Sequence, residues 1–254
     1  MLEIDKNEII KEKKYLEVGF VGTIGAGKTE LSGLLGKRWG IEPIEEKYPE
    51  NPFLANFYND PFADGASFKS QFWFMTEKIE QLKKVNTNEV RIIDPSLVMD
   101  RLYAKTHHQM GYMKDEEWNL YRGVFETLTT EANITYPDMF VVVTADIDVL
   151  IQRIVDRGRP YEKWLLNNKD YLVELQKAVE EWGKTPEKGV FKLPINTSDT
   201  PIEEIELNAG RVEGYICREF GILGKHVLPN IPAPSVSTQD IYVSLGNESV
   251  RFKR

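Results

Sequence analysis

Gly22-Thr23-Ile24-Gly25-Ala26-Gly27-Lys28-Thr29 is the stretch that decides how this chain is read. Glu17 to Val21 before it is a short apolar run after a charged start, and Leu31, Leu34, Leu35 and Trp39 after it recur at helical spacing. Strand, glycine loop and helix follow in order, and that context separates a phosphate-binding loop from a chance glycine turn. Each residue type has a physical reason to be there. Glycines let backbone N–H groups turn inward around phosphate oxygens, where a side chain would clash. The helix that follows presents unpaired N–H groups and the positive end of its dipole to the same anion. Lys28 brings a mobile cation to the β- and γ-phosphates, and the Thr29 hydroxyl is a hard oxygen ligand for Mg²⁺. The pattern fixes phosphate binding and leaves the acceptor open.

Outward from the loop, Val90 to Ile93 reads as a second buried strand, closed by Asp94-Pro95. Met139 to Val143 is a third, and Phe191 to Ile195 a weaker one because Pro194 sits inside it. Between them lie helical stretches at Phe68 to Val85, Leu97 to Met110, Glu116 to Ala132, Val149 to Asp156, Tyr171 to Trp182 and Ile202 to Phe220. Alternating strands and helices predict an α/β fold, a parallel sheet with helices on both faces. After Phe220 the composition shifts, and Leu228 to Thr238 reads as a linker. Asp240 to Arg254 reads as either a short added strand or a mobile tail, with an Arg-Phe-Lys-Arg end too short for a nucleic-acid arm.

The 254 residues carry 32 basic and 40 acidic side chains, a net charge of −8. That disfavours non-specific nucleic-acid binding. No apolar run approaches the roughly 18 residues of a membrane span. Met1 to Lys14 is charged and does not read as a signal peptide. Cys217 is the only cysteine, which excludes an internal disulfide and fits a reducing cytoplasm. One cysteine and three histidines make a structural zinc site improbable.

Several other residues carry chemistry. Asp94 closes a strand where open parallel sheets place ligands, so its carboxylate can hold Mg²⁺; capping the Leu97 helix is the structural alternative. Arg153, Arg157 and Arg159 suit a flap that closes over a transferring phosphoryl group, or else simply complement a helix C-terminus. Glu42, Glu45 and Glu46 form an acidic cluster that either edges the fold or contains a general base. Gln71, on a helix with Phe68, Phe72, Trp73 and Phe74, can read a nucleobase edge, although such a stripe is more often core. His107-His108 reads as a helix-surface pair.

At these residues the chain resembles the deoxynucleoside kinases, especially the bacterial deoxyadenosine/deoxyguanosine type, from about Tyr15 to about Phe220. Gly22 to Thr29 resembles the family's phosphate loop. Glu46-Lys-Tyr-Pro-Glu-Asn-Pro-Phe-Leu-x-x-Phe-Tyr58 resembles its catalytic-glutamate segment, Ser67-Phe68-x-x-Gln71 its base-reading helix, and Arg153-x-x-x-Arg157-Gly-Arg159-Pro-Tyr-Glu162 its lid. The resemblance implies a P-loop kinase fold with a central parallel sheet of about five strands in residues 1–225, followed by a linker and tail in 226–254. It also implies ATP as donor, Mg²⁺, a deoxynucleoside acceptor and a homodimer. In that reading Glu46 takes the proton of the nucleoside 5′-hydroxyl, Tyr58 and Glu162 hold the 3′-hydroxyl, Gln71 binds the base, and Thr29 and Asp94 serve the metal.

Three positions depart from the family pattern. Pro95 stands where an arginine is usual, Lys78 replaces an arginine on the base-binding helix while its acidic partner is kept as Asp100, and Ala66 replaces a tryptophan. These departures imply a base pocket of different shape and a lower rate, while the Lys78–Asp100 pair at the base edge favours donor-and-acceptor patterns with an exocyclic amine or amide: a purine, or failing that deoxycytidine, over thymidine. Two rivals remain at this stage: a nucleoside monophosphate or other small-molecule kinase on the same fold, and a nucleotide-binding scaffold on a degraded one.

Overall fold

The computed structural model describes residues 16–84, 90–187, 189–199, 205–220, 243–245 and 248–250. Its centre is β1 (Glu17–Gly22), with all six residues buried. On one side lie β3 (Arg91–Asp94) and then β2 (Ile44–Glu45); on the other lie β4 (Met139–Thr144) and then β5 (Phe191–Asn196). All the pairings in this five-stranded sheet are parallel. The central strands are apolar without alternation because both of their faces are covered. β5 is an edge strand, which explains how Pro194, opposite Val142, is tolerated: only one neighbour asks for its hydrogen bonds.

Helices α1 (Lys28–Trp39) and α9 (Ile205–Glu219) cover one face, packing Leu31, Leu35, Val212 and Ile216 on Val18, Phe20 and Val141. Between these positions along the chain come α2 (Leu54–Asn59), α3 (Ala66–Lys84), α4 (Leu97–Gln109), α5 (Asp115–Glu131), α6 (Ile147–Arg157), α7 (Lys163–Asn167) and α8 (Lys169–Lys184). Helices α4 and α8 cover the second face through Met99, Leu102, Leu172 and Leu175 against Val21, Phe140 and Val142. Outside α4, Met75 and Ile79 of α3 meet Tyr121 of α5 in a third apolar cluster.

Each long helix stands where the apolar periodicity placed it. Helices α2 and α7, of six and five residues, are too short for a 3.6-residue period to register. The 225/226 boundary and the Leu228 to Thr238 linker lie outside the described residues. In the tail, β6 (Val243–Leu245) and β7 (Glu248–Val250) pair antiparallel. No helix among the described residues is long and apolar enough to cross a membrane.

One expectation is corrected by the packing. His107 is not on the surface: it is fully buried, stacked on Phe57 with ring centroids 4.5 Å apart. Only His108 faces outward, 2.7 Å from Asp115. Adjacent helical residues point about 100° apart, so a pair can straddle the boundary between core and solvent.

Candidate active site

The strand order reverses around β1, and the loops that leave the C-terminal ends of β1, β2 and β3 meet there, as open parallel sheets arrange their ligand crevices. From β1 comes the phosphate loop. Gly22 has no room for a side chain, since a Cβ would stand 2.3 Å from the Val143 carbonyl oxygen. Gly27 caps α1 at φ 89°, a left-handed conformation that costs other residues energy. The loop is braced from behind. Arg153 donates to the Gly25 carbonyl (3.3 Å) and to Thr197 Oγ1 (2.8 Å) and O (2.7 Å). Thr197 in turn donates to the Ala26 carbonyl, and the Thr23 hydroxyl donates to Gln176. The loop is thereby held by three residues from distant parts of the chain, Arg153 of α6, Gln176 of α8 and Thr197 just after β5.

Lys28 opens α1 and donates 3.0 Å to the Thr23 carbonyl. Burial pushes its ammonium below the ordinary value, while Asp94 and Glu46 pull it back up. Thr29 beside it is exposed. Asp94, at the end of β3, is 2% exposed; its Oδ2 accepts from Ser32 Oγ at 2.9 Å, and its Oδ1 is buried without a hydrogen-bond partner. Ser32 lies one turn along α1 from Thr29, so this carboxylate faces the helix's first turn. An unsatisfied buried carboxylate oxygen facing the helix turn that carries the exposed Thr29 is a hard-oxygen donor set of the kind Mg²⁺ takes, so these residues fit the ion. The helix-capping alternative fails, because Ser96 occupies the N-cap of α4 and makes no side-chain cap bond, and Asp94 is turned to α1.

Glu46 follows β2, whose Glu45 pairs with Asp94. Glu42 and Glu45 are exposed and Glu46 is half-buried. Burial raises the Glu46 carboxyl above the usual range, against the pull of Lys78 and Lys28 and with a push from Asp94. Beyond it lies a buried polar wall. Gln71 Oε1, Lys78 Nζ and Asp100 Oδ2 are all inaccessible and without hydrogen-bond partners. Burial lifts the Asp100 carboxyl to about 8, with Glu46 adding to the effect and Lys78 opposing it. The Lys78 ammonium is lowered by the same burial, despite Asp100 and Glu46. Buried polar atoms in proteins are nearly always paired, so three unpaired ones so close to Glu46 make this wall a candidate for contact with a polar ligand.

The lid arginines divide. Arg153 is bound to the back of the phosphate loop, whereas Arg157 and Arg159 converge on the buried Glu162. Arg157 donates to it at 2.8 and 3.1 Å and Arg159 at 3.3 Å. Arg159 also lies 4.2 Å over the Tyr48 ring. Tyr58 stands beside this group; burial and then the Glu162 charge drive its phenol far up from the ordinary value. The crevice therefore collects Lys28, Glu46, Tyr58, Lys78, Asp94 and Asp100, each an electrostatic neighbour of at least one other. A separate cavity of about 690 Å³, lined by Glu17, Arg91, Arg101 and Tyr136 among others, opens at the opposite end of the strands and touches none of these groups.

A family model described as deoxynucleoside kinase matches residues 20–215. The chain belongs to the deoxynucleoside kinase family. Deoxynucleoside kinases are phosphotransferases, and so is this protein. A deoxyguanosine kinase of Lactobacillus acidophilus is 31% identical to it over 63% of this chain and 72% of its own length. The deoxyadenosine/deoxycytidine kinase of Bacillus subtilis is 29% identical over 70% of this chain and 78% of its own. The structure of a deoxyadenosine kinase from M. mycoides with bound dCTP superposes with a TM-score of 0.67 at 26% identity, over 78% of this chain and 100% of that one.

Sequence reasoning missed four members of the site. Gln176 and Thr197 reach the phosphate loop from more than 150 positions away, and no local pattern announces them. Ser32 lies one turn beyond Thr29 on α1, and nothing in its local spacing marks it. Tyr103 lies one turn from Asp100, and the charges of Glu46, Tyr58 and Asp100 bear on its buried phenol. Its spacing from Asp100 was the available signal.

Proposed function

We propose that the protein transfers the γ-phosphoryl group of ATP to the 5′-hydroxyl of a deoxynucleoside, with Mg²⁺ on Thr29 and Asp94, as a nucleotide-salvage step in the cytoplasm. The observation that carries this reading is the position of Glu46 between Lys28 of the phosphate loop and the orphaned polar wall of Gln71, Lys78 and Asp100. A donor phosphate at Lys28 and a base at that wall leave the nucleoside's 5′ end at Glu46. Glu46 accepts the hydroxyl proton as the oxygen attacks, and Tyr58 and Glu162 fix the sugar so that attack is in line. Lys28 and Arg157 offset charge gathering on the phosphoryl oxygens. Thr29 and Asp94 would hold Mg²⁺, which would supply positive charge to offset that of the donor phosphates.

A coupled ADP-release assay over a panel of nucleosides and monophosphates tests the reading. Turnover with deoxynucleosides is expected; turnover with monophosphates alone would move the acceptor site, and ATP binding without turnover of any of them would overturn the reading. The orphaned wall offers the Gln71 carbonyl as an acceptor and the Lys78–Asp100 pair as a donor-and-acceptor set. Such a wall suits bases with an exocyclic amine beside a ring acceptor, and the names of the relatives agree in kind. A purine deoxynucleoside, then deoxycytidine, should therefore show kcat/KM above that of thymidine by about tenfold or more, the usual worth of one matched buried hydrogen bond to a polar site. Equal kcat/KM for thymidine overturns the preference. Family membership also supports a homodimer, and light scattering at micromolar concentration checks it.

A further inference from the structure

The buried His107 has no part in the chemistry above, and its surroundings are unusual for a core residue. Both ring nitrogens are used: Nδ1 is 2.8 Å from Ser67 Oγ and Nε2 is 2.9 Å from Tyr171 OH. The ring face stacks on Phe57 with an interplanar angle of 12°. One imidazole on α4 thus touches α2, α3 and α8. Each contact is next to a residue of the acceptor site. Ser67 is one turn before Gln71 on the same face of α3. Phe57 directly precedes Tyr58. Tyr171 packs against Trp164, whose ring also meets Tyr58 at 6.0 Å.

Helix α2 explains why such a hub is needed. Six residues cannot hold a helix by themselves, so the placement of Tyr58 depends on tertiary anchors, and Phe57 is the only buried residue of that helix. A phenylalanine at 107 could supply the stack but not the two hydrogen bonds. A charged imidazole would be costly in this apolar nest. Burial holds the His107 pKa down to about 3, so the ring stays neutral and can donate from one nitrogen and accept at the other. Ser67 and Tyr171 can each play either role, so the bridge is satisfied in both tautomers.

We propose that His107 is a positioning residue of the acceptor site: its imidazole ties Ser67 to Tyr171 and clamps Phe57, and so fixes the distance between Gln71 at the base and Tyr58 at the sugar. The proposal rests on the deoxynucleoside reading above. The donor site is built on α1, the 22–29 loop and Thr197, with Gln176 of α8 behind Thr23; of these His107 touches only α8, through Tyr171 more than a turn before Gln176, so the larger effect should fall on the nucleoside. His107→Phe should raise the KM for the deoxynucleoside about five- to tenfold, as expected for two lost neutral hydrogen bonds, and leave the KM for ATP within about twofold. His107→Gln, which can still reach Tyr171, and His107→Asn, which can still reach Ser67, should each recover part of that loss. If His107→Phe does not fold, Ser67→Ala and Tyr171→Phe each remove one bond with the ring in place and should raise nucleoside KM alone. Calorimetric binding of deoxynucleoside to wild type and variants gives the same comparison without turnover. Equal rises in both KM values, or a lower Tm with both KM values unchanged, would reduce His107 to a core residue and overturn the proposal. A wild-type protein that neither binds nor phosphorylates any deoxynucleoside would instead overturn the functional reading beneath it.

Discussion

Glu46→Gln is expected to lower kcat by about 10²–10⁴-fold, the usual contribution of a general base, with ATP and nucleoside still bound. Glu42→Gln should lower it by less than about tenfold. The ranking follows from where the three carboxylates stand. Along an extended segment side chains alternate, so Ile44 and Glu46 share a face that Glu45 does not, and Glu42, four residues before Glu46, lies roughly 13 Å further from the strand's C-terminal end. A base has to come within roughly 3 Å of its hydroxyl or act through one water. Glu46 alone of the three is half-buried and among the charges of Lys28, Lys78 and Asp94. Burial outweighs the two lysines and raises its pKa, so the carboxylate that must accept the proton forms only as pH climbs through that raised value. The acid limb of kcat/KM should consequently lie above the ordinary glutamate value of about 4.3 and be missing from Glu46→Gln. The opposite ranking of the two glutamines in single-turnover transfer would move the base to Glu42, and the acceptor site with it.

What the chain made legible, and what it hid, divides along sequence distance. The phosphate loop could be read because all of its chemistry lies within eight consecutive residues whose order reflects strand, turn and helix. The sheet could be read because strands covered on both faces are continuously apolar, as in Met139 to Val143. Two-residue β2 left no such trace; its place in the sheet comes from pairing with β3. His107 shows a different limit. A histidine on an amphipathic helix looks the same in sequence whether it faces water or a nest of Phe57, Tyr112 and Tyr171, and only the packing of three other helices decides. The lid shows a third limit. Arg153, Arg157 and Arg159 are clustered along the chain, yet Arg153 lies one turn before Arg157 on α6 and reaches the phosphate loop, while Arg157 at the helix end and Arg159 beyond the turn at Gly158 reach Glu162. Spacing revealed the cluster but not its division.

That division sharpens what Arg157→Ala should do. Arg157 holds Glu162 through a fork from Nε and Nη2, and its positive charge bears on Lys28, so it stands between Glu162 and the phosphate loop. Before transfer its charge is largely matched by Glu162, with Arg159 as a second and longer partner at 3.3 Å. As charge gathers on the equatorial phosphoryl oxygens, a guanidinium already fixed in place can offset it without reorganising. An interaction that strengthens only on the way to the transition state appears in kcat and not in ground-state binding. Arg157→Ala should therefore lower kcat by about 10²–10³-fold, the usual cost of losing one preorganised electrostatic donor. The nucleoside dissociation constant should rise far less, because Arg159 still holds Glu162. Arg157→Lys restores the charge without the planar fork, so it should recover part of kcat but not the full hold on Glu162. Removing the fork also leaves a buried carboxylate short of donors, and a stability loss of about 1–3 kcal/mol should accompany the alanine variant. Denaturant unfolding measures that loss separately, so assays run well below the variant's Tm keep it out of kcat. A normal kcat with only a raised nucleoside KM would confine Arg157 to orienting Glu162 and leave the developing charge to Lys28.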